Sequence, residues 1–198
     1  MLLAYHPRNA YWAQALDQVQ QGARFAQRLL LDVYRLRRTV GVLTRADDFM
    51  TMAELSIVAG YPAEARRVLD EGFLRNILGG ISPEGVEHGR MRGAASRLAR
   101  EEERRTQREA TSQDGNVLAS VGFALALDEQ SERSVALLEK AVVKSGLDSP
   151  DDVRFRLGLA QLWAGHRRNA ERTLRAIRSQ DGTQELVRLW LLVADNVK

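Results

Sequence analysis

Cysteine is absent from this chain of 198 residues, and proline occurs only four times. Without thiols the chain has no disulfide bond, no thiol nucleophile and no cysteine ligand for a metal. No apolar run is long enough to span a membrane. None of the three histidines, His6, His88 and His166, has a second ligand at the spacing of a metal site. A P-loop, a nucleophile elbow and a dinucleotide fingerprint are also missing, so we expect neither an enzyme nor a cofactor-dependent protein.

The residues that dominate the composition favour α-helices. The chain is 44% apolar and 28% charged, as in ordinary globular proteins, and Leu, Ala, Arg, Glu and Gln outnumber Val and Ile. Of its 29 basic residues all but three are arginine, and the net charge is +3. A basic protein can bind nucleic acid, but here the acidic residues are interspersed with the basic ones. An arginine-rich solvated surface, as a GC-rich genome encodes, is therefore the favoured interpretation.

Helical periodicity and turn signals divide the chain into helix pairs. Turns at Gly60-Tyr61-Pro62, Asp128-Glu129-Gln130 and Ala164-Gly165-His166 separate stretches whose apolar residues follow the helical period. This pattern predicts four pairs, at residues 11–40, 44–78, 117–145 and 153–179. The second helix of the first pair is expected to run from Ala23 to Val40. A last amphipathic helix over residues 183–197 is expected to cap the array, because the final repeat would otherwise expose its stacking face.

Residues 84–112 differ from the rest of the chain. Arginine and glutamate alternate here, and apolar anchors are sparse, namely Val86, Met91, Ala95, Leu98 and Ala99. We expect a mostly exposed helix held by charge pairs between residues one turn apart. A solvated spacer helix is the favoured interpretation, and a recognition surface is the alternative.

Three segments, at residues 52–72, 121–141 and 157–177, align without a gap. Gly60, Glu129 and Gly165 are equivalent turn residues in this alignment. The segments are offset by 69 and 36 residues, close to two units and one unit of the tetratricopeptide period of about 34 residues. Small residues and leucines at matched positions predict close packing within each pair; these repeat-packing residues are Ala53, Ala65, Leu69, Gly122, Leu138, Ala141, Gly158, Ala170 and Leu174.

Through Leu157-Gly158, Ala170 and Leu174, and their counterparts in the other segments, the chain resembles the tetratricopeptide repeat (TPR) family. The resemblance implies an all-α, TPR-like right-handed solenoid of antiparallel helix pairs, with an irregular charged helix in the middle and a C-terminal capping helix. Arg154 stands where the family pattern has its first aromatic residue. More narrowly, stretches such as DFMTMAELSIVAGYPAEARRVLDEGF are similar to the C-terminal half of uncharacterised proteobacterial TPR proteins, which implies no activity.

The resemblance also implies binding in a concave groove lined by the first helix of each pair. The matching positions are Met50, Glu54, Ala119, Phe123, Phe155, Leu159, Leu162 and Trp163. An apolar strip of this kind suits an extended or helical peptide, although several of these residues could equally belong to the core. The Lys and Asn residues of the chaperone-binding carboxylate clamp are absent, which disfavours an acidic C-terminal tail as ligand. We therefore predict a protein–protein interaction module or scaffold with a protein or peptide partner.

Two other functions stay open. Arginine-rich faces over residues 24–38 and 90–108 suggest polyanion or nucleic-acid binding, although no aromatic residues alternate with the arginines of the second face. Self-association through Trp190 or the Trp12 end is the other alternative. Met1–Ala4 is too short for the apolar part of a signal peptide, and the compartment stays open between the bacterial cytoplasm and the periplasm. Residues 5–12 resemble a seam between repeats, so we expect the chain to begin at such a seam.

Overall fold

The structure is a computed structural model, and it describes residues 9–196. This part of the chain consists of ten α-helices and one short 3₁₀ helix and contains no β-strand. In chain order these are α1 (Asn9–Gln20), the 3₁₀ helix (Gln27–Leu29), α2 (Leu30–Thr39), α3 (Ala46–Val58), α4 (Pro62–Leu74), α5 (Pro83–Glu109), α6 (Gly115–Leu127), α7 (Ser131–Val142), α8 (Pro150–Trp163), α9 (Arg167–Arg175) and α10 (Thr183–Asn196). The all-α fold class is confirmed. Among these helices none has the length and apolar character needed to cross a membrane. The expectations drawn from residues 1–8 lie outside the described residues.

The three aligned turns, which join α3 to α4, α6 to α7 and α8 to α9, have the same backbone. Gly60, Glu129 and Gly165 all adopt a left-handed conformation, with φ of 83°, 59° and 77°. In each turn the following residue donates its N–H to the carbonyl five residues earlier, and these bonds of 2.8–2.9 Å run from Tyr61 to Ser56, Gln130 to Leu125 and His166 to Gln161. This is the Schellman motif of helix ends. The equivalence of the turns is confirmed, and each short turn folds two helices into an antiparallel pair.

Small residues let the helices of a pair approach closely. A Cβ atom added at Gly122 would lie 2.9 Å from the Leu138 Cγ atom, and one at Gly158 would overlap the Leu174 side chain. Neither position therefore has room for a larger residue. All of the predicted repeat-packing residues are buried.

The first pair is shorter and less regular than predicted. The sequence predicts one helix from Ala23 to Val40, but α2 begins only at Leu30, after the 3₁₀ helix. Ala26 is extended, with φ −78° and ψ 127°, and donates its N–H to the Asp181 carbonyl at 2.9 Å. Arg28 adds ion pairs with Asp152, at 2.9 Å, and with Asp181. A tertiary contact with the α9–α10 loop thus replaces helical hydrogen bonds in this segment.

Helix α10 connects the two ends of the described chain. It contacts α8 and α9 and also α2, and its Trp190 belongs to the same apolar cluster as Trp12 and Leu36. The sequence pattern predicts a linear array with α10 as an outer cap, whereas here α10 also packs against α2, near the start of the described chain, and a solenoid is not confirmed. Trp190 and Trp12 are only 1% and 4% exposed, so neither offers a surface for self-association in this fold.

Helix α5 packs along α4 through small residues and one carboxylate. It spans 27 residues and buries Ala95, Ala99 and Glu102, whereas Val86 and Leu98, two of its predicted apolar anchors, are largely exposed. The Glu102 carboxylate accepts the Ala63 N–H at 2.8 Å. It thereby caps the start of α4, where the residue at the N-cap position makes no side-chain bond of its own. Burial raises the pKa of Glu102, and the bond from Ala63 offsets part of that rise.

Helix α4 ends earlier than predicted. The pattern predicts a helix to Leu78, but α4 stops at Leu74. Asn76 adopts a left-handed φ of 55°, and the chain then turns back so that Leu78 packs on Gly72, where an added Cβ atom would lie 2.6 Å from the Leu78 Cδ1 atom. The leucine therefore joins the core from a loop, not from a helix.

Helix α9 also ends early, at Arg175 instead of Ser179. The Asp151 carboxylate, at the start of α8, accepts the N–H groups of Arg178 and Ser179, each at 3.0 Å. Burial alone would raise the pKa of Asp151, but these bonds and one from Arg154 lower it. The Asp151 carboxylate of the preceding helix thus accepts hydrogen bonds from two backbone N–H groups that a longer α9 would have used within the helix.

Candidate functional site

The C-terminal part of α2 borders an open cleft. Two adjoining cavities of about 410 and 340 Å³ share Thr39 and Trp163 in their walls, and we call their union the Trp163 cleft. The larger cavity is bounded by α2, α3, α4 and the α6–α7 turn, and its other lining residues are Arg35, Arg38, Met52, Glu64, Arg67, Ala126, Leu127, Glu129 and Ser131. The smaller cavity is bounded by the α8–α9 turn and α10, and its other lining residues are Leu162, Gly165, Arg167, Trp190, Val193 and Ala194.

Four aromatic rings form a continuous chain that ends at the cleft. The ring centroids of Tyr61 and Phe123 are 5.6 Å apart, those of Phe123 and Trp163 are 5.9 Å apart, and those of Trp163 and Trp190 are 6.1 Å apart. The middle pair is stacked and the outer pairs meet edge to face, which are the favourable arrangements of aromatic rings. Trp163 is the half-buried member of the chain, so a ring on each side fixes a side chain that still faces solvent.

Arg35 is a buried charge in the wall of the cleft. Its Nε and Nη2 atoms donate to the two oxygens of Glu64 at 2.8 and 2.7 Å, and its Nη1 atom donates to Asp32 at 2.7 Å. The Ser56 hydroxyl donates a further bond to Glu64 at 3.1 Å. The two-pronged pairing of a guanidinium with a carboxylate is the strongest geometry of this kind. The pairing of Arg35 with Glu64 ties α2 to α4, and the bond from Ser56 to Glu64 adds α3.

Aromatic rings complete the surroundings of Arg35. Its guanidinium carbon lies 4.9 Å from the ring centroid of Phe123 and 5.4 Å from that of Tyr61, within the range of cation–π attraction. Burial alone would lower the pKa of Arg35. The carboxylates of Glu64 and Asp32 raise it by more than burial lowers it, so the net pKa lies above its ordinary value. Burial also raises the pKa of Asp32, and Arg35 offsets part of that rise. Arg35 therefore stays charged and links α2 to α6 as well.

A third cavity, of about 450 Å³, also has Arg35 in its wall. It is bounded by the 3₁₀ helix and the start of α2, by the end of α3 and by the start of α8. Phe155 and Leu55 line it, and Val58, which is 86% exposed, stands at its edge. Because Arg35 borders both this cavity and the Trp163 cleft, α2 separates two concavities where the sequence pattern predicts one groove.

The eight predicted groove residues do not form one surface. Ala119, Phe123, Phe155 and Leu159 are buried, Met50, Leu162 and Trp163 are half-buried, and Glu54 is exposed. Leu162 and Trp163 line the Trp163 cleft and Phe155 lines the third cavity. The physical reason is the position of α2, whose Arg35 lies against Phe123. The sequence pattern contains no signal for that contact, and it also misses Arg35, Glu64 and Trp190 as lining residues.

The two arginine-rich faces differ in their partners. Between residues 24 and 38 every arginine bonds an acid or amide side chain of another element, and these partners are Gln180 for Arg24, Asp152 and Asp181 for Arg28, Glu64 for Arg35, Asp17 for Arg37 and Glu71 for Arg38. On α5, by contrast, Arg97, Arg104 and Arg108 make no hydrogen bond or ion pair with any described residue. The predicted charge pairs within α5 are few, namely Glu87 with Arg90 and Arg105 with Glu109.

The two described histidines have structural contacts. The Nδ1 atom of His88 accepts the Gly79 N–H at 3.1 Å, and the Nε2 atom of His166 lies 3.1 Å from a Glu132 oxygen. Within residues 9–196 no group of three or more His, Cys, Asp or Glu side chains is arranged to hold a metal ion.

No family model, no curated protein and no solved structure matches this chain. The TPR resemblance therefore rests on the residues and turns described above, and membership of that family stays a prediction.

Proposed function

We propose that this protein is a TPR-like interaction module that binds a peptide or protein segment in the Trp163 cleft. The observation that best supports this role is Trp163 itself, a half-buried aromatic side chain that lines both cavities. Contacts with Phe123 and Trp190 hold it in place. Rigid aromatic residues in concave pockets are typical anchor points of protein interfaces. The proposed role is binding alone, with no catalytic step and no cofactor.

The test compares two truncations of half-buried aromatic residues. Trp163→Ala removes the anchor, whereas Phe73→Ala changes a half-buried ring on α4 that lines neither cavity of the cleft. Each protein is immobilised, and the proteins captured from cells of the source organism are compared by mass spectrometry. We expect wild type and Phe73→Ala to capture the same partners and Trp163→Ala to lose them. Identical capture by all three folded proteins would contradict the proposed site.

A second candidate function, polyanion binding, is favoured by one observation on α5. Arg97, Arg100, Arg104 and Arg108 are all exposed and follow one another at intervals of three or four residues, so they lie on one face of the helix. That face is opposite the buried Ala95, Ala99 and Glu102. The face over residues 24–38 is the weaker candidate, because its arginines already have intramolecular partners.

Retention on a heparin column tests this second candidate. If α5 binds phosphate or sulfate groups, wild type should be retained at about 50 mM salt and released as salt rises. The Arg97→Gln/Arg104→Gln protein should elute earlier. Passage of wild type without retention would exclude the α5 face as a polyanion site.

A further inference from the structure

Two groups of opposite charge in the wall of the third cavity have unused hydrogen-bonding atoms. Asp32 and Arg156 both line this cavity, whose volume of about 450 Å³ is within the range of small-molecule sites. Asp32 accepts a bond from Arg35 at its Oδ1 atom, and its Oδ2 atom accepts none from any described residue. Arg156 makes no hydrogen bond or ion pair within residues 9–196. Each group can therefore still bind a ligand of opposite charge.

Both groups are accessible to such a ligand. Asp32 and Arg156 are half-buried, and the Asp32 side chain keeps 14% of its surface exposed. In the part of the chain that the structure describes, the inaccessible side-chain nitrogen and oxygen atoms without a bond belong to Arg37, Arg67, Ser134 and Trp190. The Oδ2 atom of Asp32 and the guanidinium nitrogens of Arg156 are not among them. A molecule in the cavity can therefore reach both.

The acids in the wall are already paired with other arginines. Asp32 pairs with Arg35 at 2.7 Å. Asp152, the other carboxylate in the wall, pairs with Arg28 at 2.9 Å. Three arginines thus share two carboxylates, and Arg156 is the one left over. Because a guanidinium is the group that best recognises a carboxylate, Arg156 is suited to a carboxylate that the ligand supplies.

Packing against an aromatic ring fixes the position of Arg156. Its guanidinium carbon lies 5.7 Å from the ring centroid of Phe123, within the range of cation–π attraction. Burial raises the pKa of Asp32, and the charge of Arg156 is one of those that offset part of that rise. The two side chains nevertheless form no ion pair with each other. They are close enough to interact but do not meet, so a ligand placed between them can contact both.

The two charges together favour a ligand that carries both signs. A carboxylate alone would be attracted by Arg156 and repelled by Asp32, and an amine alone would be attracted by Asp32 and repelled by Arg156. A molecule with one ammonium group and one carboxylate satisfies both side chains at once.

The rest of the wall suits an apolar group. It is formed by apolar residues of α2, α3 and α8 and of the residue that follows α3, namely Leu31, Leu55, Val58, Ala59 and Phe155. Val58 is 86% exposed. An apolar group in the cavity would remove this surface from water, which favours binding.

We propose that the third cavity binds a free α-amino acid with a large apolar side chain. The carboxylate of the amino acid accepts bonds from Arg156, its ammonium group donates to Asp32, and its side chain packs on Leu55, Val58 and Phe155. A free amino acid carries both charges on one carbon atom, whereas each end of a peptide carries only one of them. This site lies outside the Trp163 cleft, and the proposal goes beyond the peptide-binding role without depending on it.

Calorimetric titration of the whole protein with small molecules tests the proposal. The probes are L-leucine and L-phenylalanine, and each matched compound lacks one feature. N-acetyl-leucine has no ammonium group, leucinamide has no carboxylate, and alanine has no large side chain. We expect leucine or phenylalanine to bind with a Kd at least about tenfold lower than each matched compound, since each change leaves a charged group or the apolar wall without its contact.

Three outcomes of this titration would overturn the proposal. The first is that neither leucine nor phenylalanine binds. The second is that N-acetyl-leucine or leucinamide binds as tightly as leucine, which would mean that one charge is enough. The third is that the dipeptide leucyl-leucine binds more tightly than leucine, which would identify the ligand as the end of a peptide.

Two charge variants with matched controls locate the contacts. Arg156→Gln removes the cation, and Asp32→Asn removes the anion but keeps an oxygen that can accept the bond from Arg35. The controls are Arg154→Gln and Asp70→Asn, which each break one ion pair at a residue outside the wall of the cavity. We expect each cavity variant to raise the Kd of leucine about tenfold and each control to leave it unchanged.

A comparison of two ligands separates direct contact from a change in folding. In Arg156→Gln, leucine should lose its advantage over leucinamide, because the carboxylate no longer has its partner. In Asp32→Asn, leucine should lose its advantage over N-acetyl-leucine for the same reason. If a variant weakens both ligands of its pair equally, the residue does not contact the ligand and the assignment is wrong.

Blocking the cavity gives a test that leaves its charges in place. Ala59 is exposed and lines the cavity, so Ala59→Trp places a large ring there, and Ala59→Ser is the control that leaves it open. We expect Ala59→Trp to abolish leucine binding without a shift in the thermal unfolding midpoint, and Ala59→Ser to bind as wild type does. Binding of leucine by Ala59→Trp with the wild-type Kd would place the site elsewhere. Ala59, Asp32 and Arg156 line neither cavity of the Trp163 cleft, so this test is independent of the proposed function.

Discussion

Helices α2 and α5 are both rich in arginine, and the structure uses these arginines in opposite ways. On α2, Arg35 is buried and bonded to carboxylates, and Arg37 and Arg38 pair with acids of α1 and α4. On α5, Arg97, Arg104 and Arg108 face outward and make no hydrogen bond or ion pair with any residue between 9 and 196. The difference lies in the neighbours. Helix α2 contacts α1, α3 and α10, whereas α5 packs mainly on α4. The same residue type is therefore structural on one helix and available for binding on the other.

Removing the buried arginine of α2 should have the largest effect on stability. Arg35→Ala leaves Glu64, which is 3% exposed, as a buried charge without its partner. Breaking such a pair from one side costs about 3–5 kcal/mol. We expect a loss of that size in the free energy of unfolding, measured by urea denaturation at neutral pH.

The double variant Arg35→Met/Glu64→Met sharpens this prediction. Because it removes both charges of the pair, it should recover part of the loss seen in Arg35→Ala. The single variants Arg35→Met and Glu64→Met complete the comparison. If the double variant loses as much free energy of unfolding as these two single variants lose together, Arg35 and Glu64 act independently, and their pairing is not what holds α2 in place.

On α5 the residue that matters for stability should be an acid. Glu102→Ala removes the cap of α4 and leaves the Ala63 N–H without an acceptor. Loss of a helix cap costs about 1–2 kcal/mol. The exposed Glu103 of the same helix is the matched control, and Glu103→Ala should change the free energy of unfolding by less than about 0.5 kcal/mol. Equal effects of the two changes would mean that Glu102 does not dock α5.

The pH dependence of stability offers a test of the same carboxylate. The pKa of Glu102 is raised above its ordinary value of 4.5, so the folded state binds this proton more tightly than the unfolded state. The stability that Glu102 contributes is therefore complete below pH 4.5 and is lost as pH rises through the raised pKa. Relative to Glu102→Gln, which does not titrate, wild type should lose stability over that window in denaturation curves. Parallel pH profiles would argue against a buried, ionisable Glu102.

The smallest stability effect is expected for the outward arginines of α5. Arg97→Gln/Arg104→Gln removes two charges that make no hydrogen bond or ion pair with any described residue, so the free energy of unfolding should change by less than about 0.5 kcal/mol. The thermal transition should stay in place even if retention on heparin falls. A large loss of stability would show that α5 resembles α2 more than the structure indicates.

The elements that sequence reasoning predicts well are those with local causes. The three Schellman turns follow from residues at Gly60, Glu129 and Gly165, and the tight pair contacts follow from Gly122 and Gly158 facing leucines. Elements with distant causes are predicted poorly. The delayed start of α2 depends on the bond from Ala26 to Asp181, whose partner lies at the other end of the chain.

The candidate site depends on such distant contacts even more strongly. The predicted TPR-like groove contains Phe123 and Phe155, but both are buried, Phe123 against Arg35 of α2, and of the aromatic residues predicted for that groove Trp163 alone is half-buried. The stripe of α10 is visible in the sequence as an amphipathic pattern. That Trp190 from this stripe meets Trp163 is visible only in the fold, because each helix could place its apolar face against several neighbours.

The sequence by itself determined which segments form helices, where the three repeat turns lie and which small residues allow close pairs. These features depend on backbone preferences and on contacts within one hairpin. Only the tertiary structure decided that α10 contacts α2, that the arginines of α2 all pair with acids while Arg97, Arg104 and Arg108 of α5 pair with no described residue, and that a cleft remains at Trp163. Those outcomes depend on which apolar faces and opposite charges find each other across the whole chain, and local patterns leave that choice open.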